Sequence, residues 1–371
     1  MLYYYVFGNE YGYNNYANAI YIKNKIMKRQ IIVFRIVSVC LLVAILFTGF
    51  DLQAASPELI TVDKAGNVDF TSIQAAVNSV RAFRAEHGVR IWIRKGVYHE
   101  KIVIPTYVEN IQLVGEGAAN TKIVFDDYAG KLVNCPDETG QPKLGTFSSY
   151  TLLVRANRVL IKDLTIENAA GPVGQAVALH LEGDQIALVN CHLLGFQDTL
   201  YLGKSGARSY FSDCSISGTT DFIFGPGIAF FSRCRLLSLR NSYVTAAATP
   251  QGQFYGYVFD QCDFVAADRS VDKVFLGRPW RPYANTVLID CNLGAHITPE
   301  GWNEWKGDKL FPDKDKTVFY AELGSKGAGA SGLSRRVTWS HQLPEAKRHV
   351  YKLEKVMDDW KVKEMLDEME K

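Results

Sequence analysis

Two stretches of the chain present a carboxylate in the same setting. CHLLGFQDTLY (Cys191 to Tyr201) and CSISGTTDFIF (Cys214 to Phe224) both read C-x-x-x-G-x-x-D. Asp198 and Asp221 each follow their cysteine by seven residues, and Gly195 and Gly218 follow by four. If the stretches are successive turns of one regular structure, the aspartates share a face about one strand spacing, ~4.8 Å, apart. Two carboxylates that close do not both ionise freely, so one keeps its proton. An anion beside a protonated acid suits a nucleophile paired with a general acid. Phe196 and Tyr201 accompany Asp198, and Phe222 and Phe224 accompany Asp221. Such aromatics suit sugar-ring stacking and exclusion of water. The next stretch, CRLLSLRNSYV (Cys234 to Val244), puts Asn241 in the same slot, so the pair belongs to two turns only. The competing reading is a ladder of aspartates that merely caps turns.

The elements that must hold these residues follow from an internal repeat. Cys191, Cys214, Cys234, Cys262 and Cys291 have similar flanks, and Leu164 in KDLTI takes the same slot one repeat earlier. Spacings of 20 to 29 residues around one short apolar core mark a solenoid, here a single-stranded parallel β-helix with one coil per repeat. The shared slot points inward, and cysteine is small and apolar enough to stack there. Buried thiols are expected rather than disulfides, because a bridge would only link coils that already pair. Cys40 falls in the amino-terminal segment and Cys135 in a Pro-Asp-Glu loop. Short β-branched runs support the ladder: Val89 to Ile93, Lys101 to Ile104, Ile111 to Gly115, Thr121 to Phe125 and Arg158 to Ile161. One amphipathic helix is expected over Phe70 to Arg84, capped by Asp69 or Thr71, as an amino-terminal lid on the solenoid. The fold class is therefore all-β.

Composition narrows the function. Lys plus Arg number 41 and Asp plus Glu 39, a net charge of +2, which argues against a chain that coats nucleic acid. Residues 1–26 read as an over-extended start. Met27 begins a basic, then apolar, then small-residue sequence ending at Ala54 and Ala55, the pattern of a signal peptide over 27–55. An uncleaved anchor over Ile31 to Phe50 is the alternative; Arg35 interrupts it. The mature protein is expected to be exported, periplasmic or secreted, and free of the membrane. Residues 56–342 form the β-helix domain. Residues 343–371 form a charged tail of one or two helices, packed on the solenoid or hanging free. No H-E-x-x-H or Cys/His cluster occurs, so neither metal nor cofactor is expected. GKSG (Gly203 to Gly206) is not the G-x-S-x-G elbow of serine hydrolases.

At these residues the sequence resembles the pectin methylesterases, or pectinesterases. The matching blocks are GVYHE (Gly96 to Glu100), GQAVAL (Gly174 to Leu179), GFQDTLY (Gly195 to Tyr201), DFIFG (Asp221 to Gly225) and LGRPW (Leu276 to Trp280), in the family's order. The resemblance implies a right-handed parallel β-helix and hydrolysis of methyl esters of polygalacturonate, with methyl-esterified homogalacturonan as the partner and a monomeric enzyme. It implies Asp221 as nucleophile, Asp198 as general acid and then base, Gln197 and Gln175 as oxyanion donors, and Arg278 as the group that orients Asp221. It implies substrate contacts at Trp280, Tyr201, Phe224 and, more weakly, Thr146. Trp302 and Trp305 in GWNEW (Gly301 to Trp305) are expected to pack a long loop beside the cleft. GQAVALHLEGD and GTTDFIFG look more like the bacterial branch, and no room is expected for the inhibitory helical domain of many plant members. The rivals are a pectate lyase or polygalacturonase on the same fold, a non-pectin esterase or thioesterase using the same site, and a non-catalytic carbohydrate-binding β-helix.

Overall fold

The computed structural model describes residues 20–23, 25–30, 57–82, 88–134 and 140–370. The chain divides into two units, Met1–Ala55 and Ser56–Lys371. In the first, residues 20–23 and 25–30 are helical. The apolar run Ile31 to Phe50, the cleavage region at Ala54 and Ala55, Cys40 and Cys135 lie outside the described residues. No helix among the described residues is long and apolar enough to cross a membrane.

In the second unit the strands form three parallel sheets of eleven, eight and seven strands among the described residues. Neighbours within a sheet come from successive repeats, so seven central coils each give one strand to each sheet and the end coils give fewer, a right-handed parallel β-helix. The slot, held by Leu164 and then by the five cysteines, immediately precedes six strands of the eight-stranded sheet. Cys191, Cys214, Cys234, Cys262 and Cys291 are free thiols, each at most 2% exposed. Each sulfur lies 3.3–3.6 Å from a carbonyl of the coil before it. Four of the five cysteines follow an Asn, Asp or Gln, and the backbone at that position shows why. Asp163, Asn190, Asp213, Arg233, Gln261 and Asp290 all have φ between 52° and 56°. This left-handed conformation is one that Asn and Asp tolerate better than most residues. Arg158, at φ 54°, is likewise a turn residue, so its strand runs Val159–Lys162 rather than from Arg158. Inside the barrel like residues stack: Phe211, Phe231 and Phe259 sit 4.6 and 4.5 Å apart, ring on ring.

The amino-terminal helix is shorter than expected, Ile73–Ser79, and its cap is Ser72, whose side chain accepts from the Ala75 N–H. Asp69 instead accepts from the Thr61 N–H at 2.7 Å. The expected end at Phe83 and Arg84 lies outside the described residues. Glu100, from GVYHE, reinforces the cap: its carboxylate accepts from Ile73 N at 3.0 Å, Gln74 N at 2.9 Å and Ser72 Oγ at 2.8 Å. An anion at free helix N–H groups is favourable. The Gln74 amide then satisfies both polar groups of Val103 on the edge strand Ile102–Ile104. That strand begins one residue later than expected, because Lys101 reaches out to Asp127 and Ser148.

The carboxy-terminal segment covers the eleven-stranded sheet. Several strands of that sheet are apolar on both faces: Leu160, Ala187, Phe230, Val258 and Val287 point outward and are buried beneath Tyr351, Val356, Met357, Trp360, Val362 and Met365. The short helices Leu353–Val356 and Val362–Glu370 carry three of these six, Val356, Val362 and Met365. Arg208 fastens the segment by donating to the Met357 carbonyl at 2.7 Å and pairing with Asp359. Of the two arrangements expected for the tail, the structure has the packed one.

Candidate active site

Asp198 and Asp221 sit at the bends where the chain passes from the eight-stranded to the seven-stranded sheet. The ladders Leu200↔Ile223 and Ile223↔Thr245 put them in register on adjacent coils. Both are left-handed, φ 67° and 49°, and each is anchored by its own N–H, Asp198 to the Thr220 carbonyl and Asp221 to the Tyr243 carbonyl. Gly218 makes the tight bend possible: a Cβ there would meet the Phe222 Cβ at 2.2 Å and the Phe196 carbonyl at 2.7 Å. Phe222 turns into the core at 0% exposure, so of the two aromatics beside Asp221 only Phe224 faces the cleft.

The register corrects one expectation. The residue opposite Asp221 on the following coil is Tyr243, not Asn241. From Ser238 to Thr245 the chain takes two residues more than from Gly218 to Ile223, their paired positions. Asn241 is displaced to the surface, where it bonds the backbone and side chain of Asp272.

Arg278 makes the two aspartates unequal. Its Nε donates to Asp221 Oδ1 at 2.9 Å and its Nη2 to Asp221 Oδ2 at 2.6 Å, a two-point fork. Among the described residues Asp198 has no such fork, and the charge of Arg278 reaches it only through space, holding it down against burial. Both carboxylates are nearly buried, 7% and 6% exposed. Burial, with the nearby charge of Asp221 second, pushes Asp198 up to about 8. Burial also raises Asp221, and the two bonds and the charge of Arg278 oppose that rise. Burial leaves Asp221 raised on balance, and the two-point fork from Arg278 favours the charge on Asp221 and the shared proton on Asp198.

The guanidinium is itself clamped. Its Cζ lies 4.0 Å from the Tyr243 ring centroid and 3.6 Å from that of Trp305. Trp302 is a core residue, 1% exposed, and its bridge to Gly277 brings the chain that carries Trp305 alongside Arg278. A Cβ on Gly277 would meet Thr245 Oγ1 at 2.0 Å, so only glycine lets this strand approach its neighbour. Tyr243 and Trp305 were not singled out for this role from sequence. LGRPW followed one coil later by GWNEW was the available signal for Trp305; the longer turn hid Tyr243.

Gln175 and Gln197 form a parallel bridge on adjacent coils next to the pair. Gln175 is exposed and Gln197 half-buried, and neither side-chain amide bonds to protein among the described residues. Amide N–H groups left free at a reaction centre can receive developing negative charge. Along the seven-stranded sheet runs an aromatic stripe. Tyr201 stacks on Phe224 at 4.6 Å, Phe224 meets Trp280 at 5.9 Å, and Phe147 meets Tyr201 at 4.8 Å. Thr146 precedes Phe147 on the short turn Thr146–Ser148, where its carbonyl accepts from Ser149. Phe147, 48% exposed, is the stripe residue that sequence reasoning missed. Among the described residues no group of three or more His, Cys, Asp or Glu side chains is arranged to hold a metal ion.

Comparison with known proteins places this arrangement. The Pectinesterase family model matches residues 59–359. Probable pectinesterase 8 of Arabidopsis thaliana is 35% identical over 311 residues, 79% of this chain and 73% of the relative. Probable pectinesterase/pectinesterase inhibitor 64 of the same plant is 35% identical over 342 residues, 84% of this chain and 54% of the relative. The chain thus spans about half the length of the pectinesterase/pectinesterase inhibitor relatives it matches. Among solved structures, pectin methylesterase from carrot superposes with a TM-score of 0.73 at 28% identity, covering 84% of this chain and 96% of that one. The pectin methylesterase of Erwinia chrysanthemi gives 0.71 at 29%, covering 82% and 98%. A pectin methylesterase in complex with a hexasaccharide gives 0.69 at 30%, again covering 82% and 98%. The plant and bacterial structures match almost equally, so they do not single out a bacterial branch. Five motif blocks in order, a parallel β-helix and a family match across nearly all of the second unit agree: the chain belongs to the pectinesterase family.

Proposed function

We propose that this protein hydrolyses the methyl esters of polygalacturonate, releasing methanol and leaving free carboxylates. The observation that carries the reading is the division of one buried carboxylate pair: Asp221 is forked by Arg278, and Asp198, on the adjacent coil, is not. The ionised Asp221 attacks the ester carbonyl carbon. The oxyanion that forms takes N–H groups from Gln197 and Gln175. As the bond to methoxide breaks, Asp198 passes its proton to the departing oxygen, leaving a galacturonyl–Asp221 anhydride and an ionised Asp198. Asp198 then takes a proton from water, and the resulting hydroxide attacks the galacturonyl carbon. Asp221 leaves as a carboxylate, again paired with Arg278. Each cycle consumes one ester and one water and yields one acid and one methanol. Tyr201, Phe224, Trp280 and Phe147 hold the sugar rings, with Thr146 at the margin.

The protein acts as a monomer outside the cytoplasm after loss of residues 27–55, on methyl-esterified homogalacturonan. Amino-terminal sequencing of the exported protein checks the processing: a first residue near Ser56 is expected, and retention of Ile31 to Phe50 contradicts it. The activity test is methanol release set against chain scission on methyl-esterified homogalacturonan. Methanol without shortening supports the reading; shortened chains indicate a lyase or glycosidase. Methanol release absent here but hydrolysis present with simple esters or thioesters indicates a different acyl substrate.

A further inference from the structure

Trp305 forms one wall of the Arg278 clamp, and its own placement needs an explanation. It stands at φ 57° on a long excursion from the solenoid, with its N–H held by Asn303 Oδ1 at 2.8 Å. Against the indole lies Lys314, on the turn Lys314–Lys316. The Lys314 side chain is 1% exposed, and its Nζ sits 4.6 Å from the Trp305 ring centroid. That ammonium donates to Asp308 Oδ2 at 2.7 Å, and the other oxygen of Asp308 is fixed by the Leu310 N–H at 3.0 Å. A lysine buried this deeply is costly, and an apolar side chain of the same length fills such a space more cheaply. The Trp305 ring thus meets two cations, the Arg278 guanidinium, which also meets the Tyr243 ring, and the Lys314 ammonium, which Asp308 holds. Asp221 bonds to the edge of the guanidinium layer.

We propose that Lys314, anchored by Asp308, is a positioning residue for the nucleophile pair. Its charge holds the indole of Trp305 face-on against Arg278, and that fixes the guanidinium plane in register with both oxygens of Asp221. Cations attract aromatic faces, so a ring in contact with two cations is held by both. The two cations that share the ring also repel one another. Consistent with such crowding, burial lowers the Lys314 ammonium from its ordinary value, Arg281 and Arg278 add to the fall, and Asp308 opposes it. The charged and titratable groups that bear on Asp221 are Arg278, Asp198 and, from the core side, the Tyr320 hydroxyl. Removing Lys314 leaves those three in place and loosens only the clamp.

The inference rests on Asp221 being the nucleophile, and one of its readouts does not depend on activity. The full chain is compared with Lys314→Met, Lys314→Arg and Asp308→Asn. In Lys314→Met, kcat for methanol release is expected to fall about tenfold with KM nearly unchanged, because positioning rather than binding is lost. The acid limb of kcat moves to higher pH by about half a unit or more as the Arg278 fork loosens. Lys314→Arg restores most of both, and Asp308→Asn shows the same changes in weaker form. In protein labelled with 13C at aspartate, the Asp221 carboxyl titrates at higher pH in Lys314→Met than in the parent, whether or not methanol is released. A lysine that only packs the loop would lower the melting temperature in all three variants and leave the acid limb and the carboxyl titration where they were. That result overturns the proposal. So does Lys314→Met with parental kcat and pH profile. If Lys314→Met does not fold, Asp308→Asn decides by the same two readouts.

Discussion

Asp198 and Asp221 occupy the same slot of adjacent coils, with the same left-handed backbone, nearly the same burial and the same anchoring by the next coil. They differ in one bond: Arg278, 57 residues beyond Asp221, forks Asp221 and acts on Asp198 only through its charge. The comparison separates two tasks. The repeat places two carboxylates together, which alone would give an undifferentiated pair sharing a proton. A contact from two coils away breaks the symmetry and assigns the charge to one and the proton to the other.

The comparison can be broken at either member. Asp221→Asn removes the proposed attacking group, and methanol release is expected to fall by at least about 10³-fold. Asp198→Asn keeps the proposed nucleophile and removes the proposed proton donor, with an expected loss of about 10²–10⁴-fold. Next in size is removal of the asymmetry itself. Arg278→Met leaves Asp221 buried without a cation, so its proton affinity rises; a loss of about 10²-fold at neutral pH is expected, with the acid limb moving up. Arg278→Lys keeps the charge but not the fork and falls between. The pH profile sharpens the same distinction. Asp198 acts as an acid when protonated and is pushed up to about 8, so kcat/KM falls as pH rises through about 8. That limb is absent from the residual rate of Asp198→Asn once alkaline ester hydrolysis is subtracted. The smallest effect lies in the ladder. Cys234→Ala, inside the barrel one coil past Asp221, costs about 1 kcal/mol in a denaturation curve and leaves kcat within about twofold.

What the sequence made legible follows from the repeat. The cysteine slots aligned the coils, the alignment put Asp198 over Asp221, and LGRPW supplied Arg278. What stayed hidden depended on turn lengths and distant partners. Two extra residues before Thr245 moved Asn241 out of the slot and brought Tyr243 in. The helix cap went to Ser72 rather than Asp69 or Thr71, because the anion that steadies it, Glu100, lies 28 residues away. Trp305 and Lys314 reach Arg278 only through a loop whose course no local pattern describes. The packing of the tail was foreshadowed by strands apolar on both faces, since such a sheet needs a cover on its outer side.

The central claim is that the proton of the pair resides on Asp198 and the charge on Asp221. It is tested most directly by titrating the aspartate carboxyl carbons in 13C-labelled protein, assigned with Asp198→Asn and Asp221→Asn. The account predicts one buried carboxyl titrating near about 8 that disappears in Asp198→Asn and persists, still elevated by burial, in Asp221→Asn. A high-titrating carboxyl that disappears in Asp221→Asn and persists in Asp198→Asn would contradict it.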